Sequence, residues 1–267
     1  METKSRLHEQ DIQRLRGLRL IDDDFLKEVF DGNIKASELL LNVIFDRADM
    51  KVIKVIGQRE IKGIEGHSVR LDIMAEDSEN KVYDIEVQRS DRGWLPQRAR
   101  YNSSMMDTVL LPAGEDYSAL VPTYVIFLTE NDAVGDGLPL HEYRMTDKYT
   151  GNLLDDGRNI IFVNGENEDE RTSLGKLVHD FKCTSPDDMY FDVFAKSVRH
   201  FKETEGGITH MCKVMEDMRK EAAVLSVVRA YRNINMGDAE IKERIMEQFS
   251  LTKTEAQAYM DSDKENT

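Results

Sequence analysis

The chain has 267 residues, of which 40% are hydrophobic and 33% are charged, and its formal net charge is −15. This composition is typical of a soluble globular protein, and it excludes both a membrane span of roughly 18 apolar residues and a basic protein that coats nucleic acid. Cys183 and Cys212 lack metal-ligand spacing, which predicts a reducing, cytoplasmic compartment and no zinc site.

The first predicted elements are helical. Residues 22–24 are three acids, which favour a helix start, and residues 25–30 carry apolar side chains at helical spacing. A second, apolar helix is predicted over residues 34–45, and it carries Glu38. A helical glutamate ordinarily faces solvent, so any functional interpretation of Glu38 depends on the resemblance described below.

A β-hairpin is the central prediction from the sequence. Residues 51–62 alternate and predict a first strand, and residues 69–88 hold two alternating segments around a polar turn. Alternation places Asp72, Glu86 and Gln88 on one face of neighbouring strands. Polar residues that alternate along a strand ordinarily face water. Apolar segments on both sides in sequence indicate a covered sheet instead, where carboxylates require a cation or hydrogen-bond donors.

The residue types of this hairpin suit a divalent cation. Carboxylate oxygens are preferred ligands of Mg²⁺, which keeps several waters and takes one or two carboxylates. The segment 89–101 contains a single acid and four arginines, Arg89, Arg92, Arg98 and Arg100. A helix is predicted over residues 97–110, after Pro96. Two interpretations of this helix stay open: a solvated amphipathic helix, or one that brings Arg98 and Arg100 to a DNA phosphate.

The remaining chain alternates further strands and helices. Residues 122–129 form a continuous apolar run, which is typical of a buried central strand parallel to an earlier one. Strands are also predicted at 141–145 and 159–163, and helices at 174–181 and 189–201.

An ordered set of segments carries a resemblance to a known family. The segments are Asp72-Ile73, Ile85-Glu86-Val87-Gln88, Arg98-Ala99-Arg100-Tyr101, residues 124–129, residues 135–140 and His179-Asp180-Phe181. Together they resemble the PD-(D/E)XK nuclease-family transposases, which are related to recombination-promoting nucleases. The resemblance extends over residues 20–215.

The resemblance implies an α/β, restriction-endonuclease-like fold with a mixed central sheet flanked by helices and a C-terminal helical extension. It implies Mg²⁺ (or Mn²⁺) held by Asp72, Glu86 and the Val87 carbonyl. Glu38 is the candidate for a glutamate that many members place on the preceding helix, near the metal. The superfamily usually has lysine where this chain has Gln88, although glutamine is usual in this branch. An amide can orient the attacking water but carries no charge.

The expected organisation is a nuclease-like domain over residues 1–205 and a helical extension over 206–267, with a boundary at Gly206-Gly207. Within the extension, a long helix is predicted over 208–231. A helical hairpin at 236–261 is expected to pack on a second copy, as a homodimer, or on a partner.

Two functions from different classes remain open. The first is a Mg²⁺-dependent DNA endonuclease of a mobile-element or recombination type, with DNA bound by the four arginines. The second is a catalytically inactive binding or assembly protein that keeps the nuclease-like fold. The net charge, Gln88 and the long C-terminal helices favour the second.

Overall fold

The computed structural model describes residues 2–61, 68–89 and 95–265. Their helices are α1 (Glu2–Gly17), α2 (Asp23–Phe30), α3 (Ile34–Ile44), α4 (Leu95–Leu110), α5 (Ser173–Lys182), α6 (Asp192–Glu203), α7 (Glu205–Asn233), α8 (Asp238–Phe249) and α9 (Lys253–Glu265). Their strands are β1 (Val52–Ile61), β2 (Val69–Asp77), β3 (Val82–Gln88), β4 (Thr123–Thr129), β5 (Leu140–Tyr143) and β6 (Arg158–Asn164). Every helix of these ranges is too short or too polar to cross a membrane.

The described residues fall into two compact units. The larger unit holds residues 16–61, 69–89 and 95–202, and the smaller unit holds residues 2–15, Ser68 and residues 203–265. The domain division expected at 205/206 stays a prediction.

The larger unit is built on one mixed sheet, in the order β1-β2-β3-β4-β6-β5. Neighbours β1, β2 and β3 are antiparallel, β3, β4 and β6 are parallel, and β5 runs antiparallel to β6. The hairpin β2–β3 and the parallel pairing of β4 with the earlier β3 confirm the sequence predictions. The mixed central sheet flanked by helices, with a C-terminal helical region, confirms the expected fold class.

Strand β3 lies at the centre of the sheet, and its residues are buried on both faces as far as Val87. Helix α4 covers one face, where Ala99 and Met106 pack into a core with Val125 and Phe127 of β4. On the opposite face of β4, Leu128 lies beside Val178 and Phe181 of α5. An aromatic cluster of Phe30, Phe181 and Phe194 joins α2, α5 and α6 on this face. The acids of β3 lie on the face that α4 covers, and this cover removes them from water.

The smaller unit contains its own apolar core. Helices α8 and α9 pack Ile241, Ile245 and Met260 against Val224 and Val228 of α7. The apolar side chains of the predicted hairpin at 236–261 therefore have partners within the chain, and the homodimer stays a prediction.

Gly206 and Gly207, at which the domain boundary is predicted, lie within the first turn of helix α7. Helix α7 begins at Glu205, and the Thr204 side chain caps it by accepting a hydrogen bond from the Gly207 amide at 3.1 Å. A threonine cap satisfies the free N–H groups of the first turn, so a helix can start there and include the two glycines.

Candidate metal centre

Asp72 and Glu86 lie opposite each other in the hairpin. The antiparallel register pairs Ile73 with Ile85, so the next step along both strands sets Asp72 beside Glu86. The Asp72 amide donates to Glu86 Oε1 at 3.2 Å, and the Val87 amide is 3.4 Å from Asp72 Oδ2. Asp72 is 5% exposed and Glu86 is fully buried. Two carboxylates therefore meet in a covered part of the sheet.

A third buried acid, Asp84, belongs to the same group. It lies two residues before Glu86, so its side chain points to the same face of β3. Asp84 Oδ2 accepts a hydrogen bond from Asn102 Nδ2 at 3.0 Å. Asp84 Oδ1 accepts no hydrogen bond from a donor among the described residues when the acids are ionised. A hydrogen bond between Asp84 and Glu86 requires that one of these two carboxylates be protonated. We call Asp72, Asp84 and Glu86 the acid row.

Helix α4 matches the acid row in spacing. Arg98 and Asn102 are one turn apart, about 6 Å along the helix, and Glu86 and Asp84 are about 6.6 Å apart along β3. The Arg98 guanidinium donates to Glu86 Oε2 and, at 2.9 Å, to Gln88 Oε1. It also lies 5.2 Å from the centre of the Phe127 ring. Arg98 is therefore held in place from three sides.

Helix α2 supplies a second cation and a fourth acid. Lys27 Nζ lies 3.5 Å from Asp72 Oδ1, and the Lys27 side chain is 17% exposed. Asp23 lies one turn earlier on the same helix. Partial burial raises the pKa of the Asp23 carboxyl, and the charge of Asp72 raises it further. Neither residue carries a signal in the sequence beyond its place in an acidic helix start.

Crowding of negative charge changes the proton affinity of the acid row. Burial raises the pKa of Glu86 well above its ordinary value, Asp84 and Asp72 add to the rise, and Arg98 opposes it. Burial also raises the pKa of Asp84 from 3.8 to about 7, against the hydrogen bond from Asn102. When all three carboxylates are ionised, the two nearby cations, Lys27 and Arg98, compensate two of the three negative charges.

This donor set fits a hard divalent cation. Asp72 and Glu86 present carboxylate oxygens from adjacent strands, and Val87, whose carbonyl is the third expected ligand, directly follows Glu86 in the chain. Oxygen ligands of this kind suit Mg²⁺ or Mn²⁺, which need only one or two carboxylates beside water. A bound cation would also favour the ionised carboxylates, against the burial and the neighbouring negative charge that raise both pKa values.

A family model described as PD-(D/E)XK nuclease family transposase matches residues 25–176, more than half of the chain. The chain belongs to this family. The matched range includes Lys27, the whole acid row and Arg98, and it ends within α5. No match was found among curated proteins or among solved structures.

Glu38, the glutamate that the family resemblance suggested for the metal, lies elsewhere in the structure. Its carboxylate accepts hydrogen bonds from Lys51 Nζ at 2.9 Å and from the Val52 amide at 3.2 Å. Val52 pairs with Asp77 at the end of β2, and Asp72 lies five residues before Asp77. At about 3.4 Å per residue, Asp72 and Asp77 are about 17 Å apart along the strand. The structure therefore does not bring Glu38 to the acid row. The helix that contacts the acid row is α2, through Lys27 and Asp23, and not α3.

The four arginines of the basic segment have different surroundings. Arg98 contacts the acid row, and Arg100 is exposed on another side of α4. Arg89 is half-exposed and forms ion pairs with Asp22 at 2.8 Å and Glu130 at 3.5 Å. Both acids also pair with Arg19, and we call Arg19, Asp22, Arg89 and Glu130 the ionic cluster. Arg92 lies outside the described residues.

One further group of potential metal ligands occurs among the described residues: His179, Asp180 and Cys183 place ligand atoms within 4.8 Å of one another. The Asp180 carboxylate already accepts the backbone amides of Tyr190 and Phe191, at 2.7 and 2.9 Å, and so fixes the turn before α6. Burial raises the pKa of the Cys183 thiol to about 11, and Asp180 adds to the rise. A thiol that resists ionisation is a poor metal ligand, so we interpret this group as structural.

Proposed function

We propose that this PD-(D/E)XK family protein is a DNA endonuclease of a mobile-element or recombination type. It would hydrolyse phosphodiester bonds with Mg²⁺ or Mn²⁺ held by Asp72, Glu86 and the Val87 carbonyl. The observation that carries the proposal is the pair of opposed, buried carboxylates, Asp72 and Glu86. With Asp84 they form a row of three acids beside two cations, Lys27 and Arg98.

Hydrolysis requires a nucleophile and compensation of the charge that develops on phosphorus. When bound, the divalent cation polarises a phosphoryl oxygen and lowers the pKa of a coordinated water. Gln88 would orient the attacking water through its amide, which Arg98 holds by a hydrogen bond to Oε1. Arg98 also stabilises the ionised Glu86 that metal binding requires, since its charge lowers the Glu86 pKa.

DNA contacts are proposed for arginines near this site. Arg100 is exposed on α4 and can meet a phosphate without losing an ion pair among the described residues. Arg89 is held by two acids of the ionic cluster, so a phosphate would have to compete with Asp22 and Glu130 for it. Arg98 is bound by Glu86 and Gln88, and its side chain is half-exposed, so a phosphate would have to compete with these two groups for it.

Plasmid nicking with purified protein tests the proposal. Mg²⁺ should support nicking that EDTA abolishes, and Asp72→Asn should lower the rate by about 10²-fold or more because one metal ligand is lost. Asp77→Asn is the matched control: Asp77 is a buried acid of the same hairpin, but it accepts hydrogen bonds from Tyr83 and the turn amides. Nicking that survives in Asp72→Asn, or in EDTA, would refute the proposal.

The alternative, a binding protein with an inactive site, has one supporting observation. Arg98 and Lys27 occupy carboxylate oxygens that a metal would use, and position 88 carries no charge. Such a protein would bind DNA or a partner without turnover. Absence of cleavage with both Mg²⁺ and Mn²⁺, together with retained DNA binding, would favour this alternative.

A further inference from the structure

Lys27 is the less constrained of the two cations beside the acid row. It meets Asp72 through one contact of 3.5 Å, which is longer than a charge-assisted hydrogen bond of about 2.7–2.9 Å. Arg98, in contrast, makes two hydrogen bonds to side chains and stacks on Phe127. A lysine ammonium on a four-carbon stem can reorient at low cost, whereas a guanidinium held on three sides cannot.

A divalent cation and Lys27 compete for the same carboxylate. Asp72 Oδ1 faces Lys27, and Asp72 Oδ2 faces the Val87 amide. A metal bound at Oδ1 would displace the ammonium by occupation and by charge repulsion. The Lys27 side chain is mostly buried, so the displaced ammonium stays beside the acids instead of reaching bulk water.

We infer that Lys27 is a catalytic residue, which neutralises Asp72 in the resting protein and donates to the phosphate during cleavage. The inference rests on the proposed function. In the step, the water oxygen forms a bond to phosphorus and the water proton passes to solvent, while the bond to the leaving ester oxygen breaks and that oxygen takes a proton from solvent. Lys27 stays protonated and stabilises the non-bridging oxygens as their negative charge grows.

The role predicts two effects of opposite direction in Lys27→Met. Loss of a positioned cationic donor should lower kcat about 10²-fold with little change in KM, because the donor acts mainly in the transition state. Loss of a competing cation should tighten Mn²⁺ binding about tenfold, measured by calorimetry or by electron paramagnetic resonance without DNA. A lysine that only supports the fold would not separate these quantities in this way.

Two further variants make the test selective. Lys27→Arg keeps the positive charge and should recover part of kcat. Lys51→Met removes a lysine from the Lys51–Glu38 pair, 2.9 Å long and outside the site, and should change neither kcat nor Mn²⁺ affinity. Thermal melts of all three variants report folding, and Lys27→Gln replaces Lys27→Met if the latter is unstable.

The outcomes separate this inference from the proposed function. Wild-type protein that cleaves nothing with either metal overturns the proposed function and the catalytic role of Lys27 together. Wild-type cleavage with an unchanged kcat in Lys27→Met overturns the role of Lys27 alone. Cleavage and Mn²⁺ affinity that fall together in Lys27→Met would show a structural lysine and would also overturn it.

Discussion

Two charged clusters of the larger unit differ in balance. The ionic cluster pairs two arginines with two carboxylates, and each of its acids contacts both arginines. The acid row sets three buried carboxylates against Lys27 and Arg98, and Asp23 adds negative charge at its edge. The ionic cluster lies where β3 and β4 end and α2 begins, whereas the acid row lies within β2 and β3, where α2 and α4 contact it.

The difference indicates what each cluster is for. In the ionic cluster each carboxylate has a positive partner, so the cluster needs no further counter-ion. Buried like charges cost stability unless a cation or a proton compensates them. Three buried carboxylates beside only two cations are therefore expected at a functional site. A divalent cation would compensate the third charge, and carboxylate oxygens are suitable ligands for it.

Isosteric neutralisation of one glutamate in each cluster gives the largest contrast. Glu86→Gln should lower Mg²⁺-dependent nicking by about 10²-fold or more, because it removes an anionic metal ligand and the negative charge that pairs with Arg98. Glu130→Gln should change nicking less than about threefold, since Arg19 and Arg89 keep Asp22. Initial rates on supercoiled plasmid measure both. Equal losses in the two variants would contradict the division of roles.

Metal should stabilise the protein through the acid row alone. At a free Mn²⁺ concentration of about 100 times Kd, binding adds about 2.7 kcal/mol, which corresponds to a rise in Tm of about 5–10 °C. Asp72→Asn should lose this rise, and Asp22→Asn in the ionic cluster should keep it. Calorimetric melts with and without Mn²⁺ provide the measurement, and an equal rise in Asp72→Asn would place the metal elsewhere.

Without metal, the two clusters should respond to pH in different ways. Burial raises the folded-state pKa of Asp84 from 3.8 to about 7, so the folded protein binds more protons than the unfolded chain between these values. The free energy of unfolding should therefore fall as pH rises from about 4 to 7, and the cost should remain above pH 7.

Asp84→Asn tests this sign, because the amide keeps the hydrogen bond from Asn102 without a charge. In EDTA it should raise Tm at pH 8 by several degrees and leave Tm nearly unchanged at pH 5. Asp22→Asn should lower Tm at both pH values, since Arg19 and Arg89 lose an acceptor. A lower Tm for Asp84→Asn at pH 8 would show that the acid row already has its compensating charges within the chain.

Local patterns in the sequence were sufficient for the sheet. Alternation over 69–88 predicted β2 and β3, and the apolar run at 122–129 predicted a buried parallel strand, because each signal lies within one element. The same alternation predicted that Asp72 and Glu86 share a face. It also applies to Asp84, whose position two residues before Glu86 was a usable signal that the prediction left out.

Contacts between distant elements were not predictable in this way. No pattern in residues 22–45 indicates which of the two consecutive helices contacts β2, so the sequence could not distinguish Glu38 on α3 from Asp23 on α2. Lys27 and Asp72 are far apart in sequence and meet only because α2 packs against β1 and β2. The hydrogen bond from Asn102 to Asp84 follows from the contact of Arg98 with Glu86, because the spacing of Arg98 and Asn102 along α4 equals that of Glu86 and Asp84 along β3. The sequence does not indicate that contact.

The smallest expected effect concerns DNA binding by the two arginines outside the acid row. Arg100 is exposed and makes no ion pair within the described chain, so Arg100→Gln should weaken binding and reduce the salt dependence of log Kd by about one phosphate contact. Arg89→Gln should have less effect, because Arg89 is already paired with Asp22 and Glu130. Fluorescence anisotropy over a salt series, with Ca²⁺ to prevent cleavage, measures both slopes. A larger slope change for Arg89→Gln would mean that DNA takes Arg89 from its acids, and that the ionic cluster opens when substrate binds.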